Sequence, residues 1–143
     1  MASPRKLVSW EGIGALEATF FIDDSTITYD ADEAGGAATV GRAVNLASAE
    51  TVQLAGDGES VLGKLILVEN DNTCTVQVKG FMTLPGGNGA SLTLGKAITG
   101  AASSVPADGY IREVATATAA ELGVCRGIIV DAGTATAVWV FLD

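Results

Sequence analysis

The segment Gly58-Glu59-Ser60-Val61-Leu62-Gly63-Lys64-Leu65 matches the first seven positions of a phosphate-binding loop. The eighth position must carry a hydroxyl to hold magnesium, and here it is Leu65. A helix must come next as well, so that its N-terminal N–H groups meet the phosphate. Instead Leu65-Ile66-Leu67-Val68-Glu69 reads as a strand. Nucleotide binding is therefore not expected. Asp30-Ala31-Asp32-Glu33-Ala34-Gly35 opens like a calcium loop, but Ala34 and Gly41 stand where ligands belong. It reads as a solvated acidic turn.

Two carboxylate pairs, Asp23 with Asp24 and Asp57 with Glu59, have the residue types for acid–base hydrolysis. Their neighbours are turn formers, and a hydrolase would need one pair in a cleft. Ser60 and Lys64 fall on one face of a strand-like stretch, too far apart for a Ser-Lys dyad. Cys74 and Cys125 are too few for a disulfide framework; each sits in apolar sequence, where a free buried thiol is expected and a bridge is the lesser alternative. Histidine is absent, which removes the usual near-neutral proton carrier and the commonest zinc ligand. No catalytic constellation, cofactor or metal site is predicted.

The elements that would position any site are β-strands, and they come twice. Val40-Gly41-Arg42-Ala43-Val44 returns as Leu94-Gly95-Lys96-Ala97-Ile98. Leu62-Gly63 before Leu65-Ile66-Leu67-Val68 returns as Leu122-Gly123 before Ile128-Ile129-Val130, and Val76 and Val78 align with Val138 and Val140. The first copy predicts strands over 39–46, 51–55, 61–69 and 73–81. The second predicts 91–98, 109–115, 122–131 and 134–142, with one helical turn over 116–122 stopped by Gly123. In the fourth strand Cys74, Val76 and Val78 face one way, Thr75, Gln77 and Lys79 the other. The fold class is all-β: a small barrel or sandwich of two related four-strand units, with at most one short helix.

Residues 1–37 read as an acidic N-terminal arm with apolar anchors, and 38–143 as the β-rich domain, with repeats at 38–84 and 91–143. Periodicity in the arm is ambiguous between helix and strand, and Tyr29 to Gly36 reads as a linker or turn. Leu7, Val8, Trp10, Ile13, Leu16, Phe20 and Phe21 are the residues nominated to bind a partner. Net charge is −9 from 17 acids and 8 bases, and residues 1–39 hold the densest share of the acids. Nucleic-acid binding is disfavoured, because phosphate contacts need clustered cations. No apolar run reaches the roughly 18–20 residues that span a bilayer, and no signal peptide is read at the start.

Three stretches carry a family resemblance: 38–44, 51–58 and 61–68, together with the valine-rich Thr75-Val76-Gln77-Val78-Lys79-Gly80. Gly123-Val124 through Ile128-Ile129-Val130-Asp131 looks like a second instance. Together they resemble the decoration, or cement, proteins of tailed-bacteriophage capsids. The resemblance implies a compact β-rich protein without catalysis, on the outer surface of the virion, often a homotrimer. Its expected partners are the major capsid protein at subunit junctions and other copies of itself. The alternative is a β-sandwich module for carbohydrate or a cell surface, for which Trp139 and Phe141 could begin an aromatic row.

Overall fold

The structure is a computed structural model; it describes residues 13–87, 92–102, 108–114, 119–134 and 137–143. Leu7, Val8 and Trp10 lie outside these. Nine strands, one α-helical turn and a 3-10 turn over Ala34–Gly36 are seen among the described residues: β1 (Leu16–Ile22), β2 (Ala43–Ser48), β3 (Thr51–Leu54), β4 (Gly63–Val68), β5 (Thr73–Leu84), β6 (Ile98–Ala101), β7 (Tyr110–Glu113), α1 (Ala119–Leu122), β8 (Ile128–Thr134) and β9 (Ala137–Leu142). The chain is all-β, as its alternation and turn residues predict.

Five strands close a barrel in the order β1-β3-β2-β4-β5, with β5 pairing back onto β1. Its one parallel contact is β1 with β3, where Phe21 faces Thr51. Cys74, Val76, Leu65, Val44 and Val52 fill this barrel, all at most 1% exposed. β5 does not stop at its rim. It runs on through Gly80, and its second half pairs with β9, which pairs with β8.

That second half begins another ring. β8 reaches β6 through the Ile98–Arg126 bridge, β6 pairs with β7, and β7 meets Gly86 in a parallel bridge on the continuation of β5. Met82, Leu84, Ile98, Ile111, Ile129, Val138, Val140 and Leu142 fill this ring, a core distinct from the first. Even-numbered residues point inward along the whole of β5, but Cys74 and Val76 enter one core while Met82 and Leu84 enter the other. One long strand is thus the last stave of the first barrel and the first stave of the second.

The duplication holds at the level of single hydrogen bonds. Arg42 N–H donates to the Thr39 carbonyl at 3.2 Å, and Lys96 N–H to the Thr93 carbonyl at 3.2 Å. Leu65 N–H donates to Arg42 and Ile129 N–H to Lys96, both at 2.9 Å. Ala55 N–H donates to Ala43 and Val114 N–H to Ala97, both at 3.0 Å. The register break after Leu65 in β4 recurs after Ile129 in β8.

Four expectations change. The repeated Val40–Val44 and Leu94–Ile98 motifs start as turns, in which Gly41 (φ 95°) and Gly95 (φ 81°) take a left-handed backbone open mainly to glycine. Val76 and Val78 correspond to Val140 and Leu142, since Leu65 faces Val76 and Ile129 faces Val140, 64 positions on. Leu122-Gly123 closes α1 instead of opening a strand. The repeat also begins earlier than residue 38: Ala18 faces Val76 and Phe20 faces Cys74, as Met82 faces Val140 and Leu84 faces Val138. Leu16–Ile22 is therefore a barrel strand and not part of a free arm.

The acidic stretch before β2 is folded onto β4. Asp30 N–H donates to the Gly36 carbonyl at 2.8 Å, and a Cβ on Gly36 would fall 1.9 Å from the Val68 carbonyl oxygen. Only glycine permits that approach, and its φ of 86° asks for glycine too.

Candidate functional site

β9 contributes a half-buried aromatic face. Val138, Val140 and Leu142 are fully buried, so the alternating Trp139 and Phe141 must point away from the core. Phe141 lies opposite Phe81 of β5 and opposite Ile128 of β8. The Phe81 and Phe141 ring centroids are 4.9 Å apart with the planes tilted by 44°, a favourable aromatic pair. Ile128 beside them is 43% exposed. Trp139 and Phe81 also line a hollow of about 430 Å³ with Glu17, Lys64, Gln77 and Thr83.

The four nominated partner-binding residues that fall among the described residues divide in three. Ile13 and Leu16 are exposed, and the Ile13 carbonyl accepts a hydrogen bond from Phe81 N–H at 3.2 Å, which sets the start of the described chain against the aromatic face. Phe21 is exposed at the far end of β1. Phe20 packs against the first core, because it alternates inward with Ile22 and faces Cys74. Sequence reading missed Phe81 and Ile128. The signal for Phe81 was the unbroken alternation past Gly80, which extends β5 into the second barrel.

Several titratable groups among the described residues have structural partners. Asp23 accepts from the N–H groups of Thr26 at 3.1 Å and Ile27 at 3.0 Å, and from the hydroxyls of Ser25 at 2.9 Å and Thr26 at 2.8 Å. Burial alone would raise its pKa; the backbone and hydroxyl donors outweigh that and hold it below the ordinary carboxylate value. Glu59 accepts from Gly56 N–H at 2.8 Å and from the buried Asn45 amide at 3.0 Å. Asp57 pairs with Arg112 at 2.9 Å, and Glu121 of α1 grips the same guanidinium. Those two carboxylates hold the Arg112 pKa above its usual range.

Arg126 is spent on backbone. Its guanidinium donates to the carbonyls of Leu62 at 2.5 Å, of Val78, and of Asp143 at 3.0 Å. Desolvation pulls its pKa down, with the charge of Asp143 opposing. It occupies the position that Leu62 holds in the first barrel. The near-phosphate loop ends in β4, a strand whose Lys64 donates to the Thr83 hydroxyl at 2.9 Å. Cys74 and Cys125 are both free thiols, Cys74 buried in the first core and Cys125 half-buried.

Fold and face together describe an all-β tandem of two barrels joined by a shared strand, with a half-buried aromatic cluster on the outer side of the second. Comparison with known protein families, curated proteins and solved structures finds no match.

Proposed function

We propose that this protein is a capsid decoration protein of a tailed bacteriophage: it binds the outside of the assembled head at junctions of the major capsid protein and stabilises it without catalysis, as a homotrimer. The observation that carries this reading is the outward-facing cluster of half-buried Phe81, Trp139 and Phe141 beside exposed Ile128, built on the paired strands β5, β9 and β8. Apolar area presented by a rigid frame suits contact, because little conformational entropy is lost on binding. The stretches that carry the family resemblance supply β3, β4, the start of β2, part of β5 and the start of β8.

A ligand that binds only the assembled shell stabilises it by linkage, and many copies of a modest contact add up. The test is co-sedimentation with expanded heads of the phage that encodes this chain, with head melting followed by calorimetry. Bound protein and a raised melting temperature are expected. Affinity should fall at least tenfold, and the melting shift should shrink, for Ile128→Asp and for a chain lacking residues 2–12. Wild-type protein that stays in the supernatant at every concentration overturns the proposal.

The hollow beside Trp139 and Phe81 favours one other reading, a carbohydrate-binding module. Aromatic rings beside Glu17, Gln77 and Thr83 combine a stacking surface with hydrogen-bonding groups. A glycan array separates the two: saturable binding of one sugar class, lost on Trp139→Ala, would replace the capsid reading.

A further inference from the structure

The seam between the barrels contains a second hollow, of about 320 Å³, lined by Arg42, Lys64, Thr83, Pro85 and Tyr110 with Gly41 beside them. In a chain with 17 acids and 8 bases, this lining has two cations and no carboxylate, although Lys64 also borders the neighbouring hollow that holds Glu17. Four elements converge to make it. Arg42 ends the Thr39–Arg42 turn, Lys64 points outward between the buried Gly63 and Leu65 of β4, Thr83 points outward from β5, and Tyr110 opens β7. Ala43 N–H to the Gly109 carbonyl and Gly109 N–H to the Ala55 carbonyl, both 2.8 Å, fix the seam.

Arg42 differs from the other described arginines. Arg112 is neutralised by two carboxylates and Arg126 is occupied by carbonyls. The Arg42 guanidinium stacks over the Tyr110 ring, 5.3 Å from its centroid, and reaches the Asp108 carbonyl only at 3.5 Å. Stacking holds the planar group while leaving its edge as a fork of donors. The Thr83 hydroxyl accepts from Lys64 and keeps its own O–H to donate.

We propose that this hollow is an anion site taking a carboxylate or phosphate-type oxyanion, bound by the Arg42 fork and the Thr83 hydroxyl in the field of Lys64. A charge-assisted bond from a guanidinium is roughly twice as strong as a neutral one, and its fork suits the two oxygens of such an anion. The inference stands independently of the capsid reading.

The experiment is an NMR titration of the full ¹⁵N-labelled chain with inorganic phosphate and, separately, with acetate, chloride holding the ionic strength constant. Saturable shifts at Gly41, Arg42 and Tyr110 are expected, on the order of millimolar affinity. The arm that saturates earlier names the anion class. Arg42→Gln should weaken binding at least tenfold, Arg42→Lys less, and Lys79→Gln not at all. If Arg42→Gln loses its dispersed spectrum, Thr83→Val, which leaves the stacked guanidinium in place, is the deciding variant, with a weakening of about threefold or more expected. The proposal is overturned if neither anion produces saturable shifts, or if the folded variants bind as the wild type does.

Discussion

Gly63 and Gly127 occupy the same point in two different barrels. A Cβ on Gly63 would lie 2.1 Å from the Gln77 carbonyl oxygen, and one on Gly127 would lie 2.5 Å from that of Phe141. Gln77 and Phe141 are themselves equivalent, 64 residues apart like the glycines, each on the strand that closes the hairpin. The duplicated architecture therefore rests on a duplicated steric requirement: at this crossing two backbones come closer than any side chain allows.

Gly63→Ala and Gly127→Ala should each destabilise the protein by about 2 kcal/mol or more, because the obstructing atom is backbone and cannot step aside. Gly127→Ala should be the worse of the two, since its φ of 65° adds left-handed strain of about 1 kcal/mol. Urea denaturation measures both. Wild-type midpoints for either variant would contradict the close approach.

Arg126 ties the second barrel to the first through the Leu62 and Val78 carbonyls. Arg126→Met keeps the apolar stem but leaves those acceptors without their charged donor, at an expected cost of about 2–3 kcal/mol. Hydrogen exchange should show the loss at the seam, with earlier opening of Leu62 N–H, which donates to Val44. Uniform loss of protection across both cores, with none specific to the seam, would assign Arg126 a different role.

The Asp23 turn gives a pH dependence with a definite sign. Its folded pKa is lowered, so the unfolded chain binds the proton more readily. The turn's contribution is complete above the unfolded value of about 4 and is lost as pH falls through the lower folded value. Asp23→Asn should lower stability at pH 7 by about 1 kcal/mol, allowing for solvent screening of a half-exposed group, and the difference from wild type should shrink towards pH 2. A gap that persists unchanged in acid would sink this account.

The two thiols should react at different rates. Burial pushes Cys74 up to about 11, against a smaller opposing effect of a backbone hydrogen bond involving Phe20, and the residue is 1% exposed. Cys125, half-buried near the end of α1, should be modified first by a thiol reagent at pH 8, and Cys74 only on unfolding. Mass spectrometry of a partial reaction checks the order; Cys74 labelled ahead of Cys125 in the native state would contradict the burial.

Strand content and the existence of two copies were legible in the residues themselves. β-Branched residues at period two, and turns such as Asp71-Asn72 with Asn72 at φ 64°, impose their geometry locally. The pairing of copies was not. Leu122-Gly123 imitates Leu62-Gly63 in letters, yet the glycine that matters is Gly127, where the backbone of β9 passes. Phe81 and Phe141 likewise meet across strands that sequence order leaves far apart.

Sequence alone determined that this chain makes strands, where many of its turns fall, and that one β-rich pattern occurs twice, because these depend on local backbone preference and side-chain alternation. Tertiary structure decided that Leu16–Ile22 is a stave and that β5 serves two barrels. It also decided that Arg42, Lys64 and Tyr110 share one hollow. Each is a contact between segments tens of residues apart, set by which backbone edges remain to be paired and which volumes remain to be filled once every strand is placed.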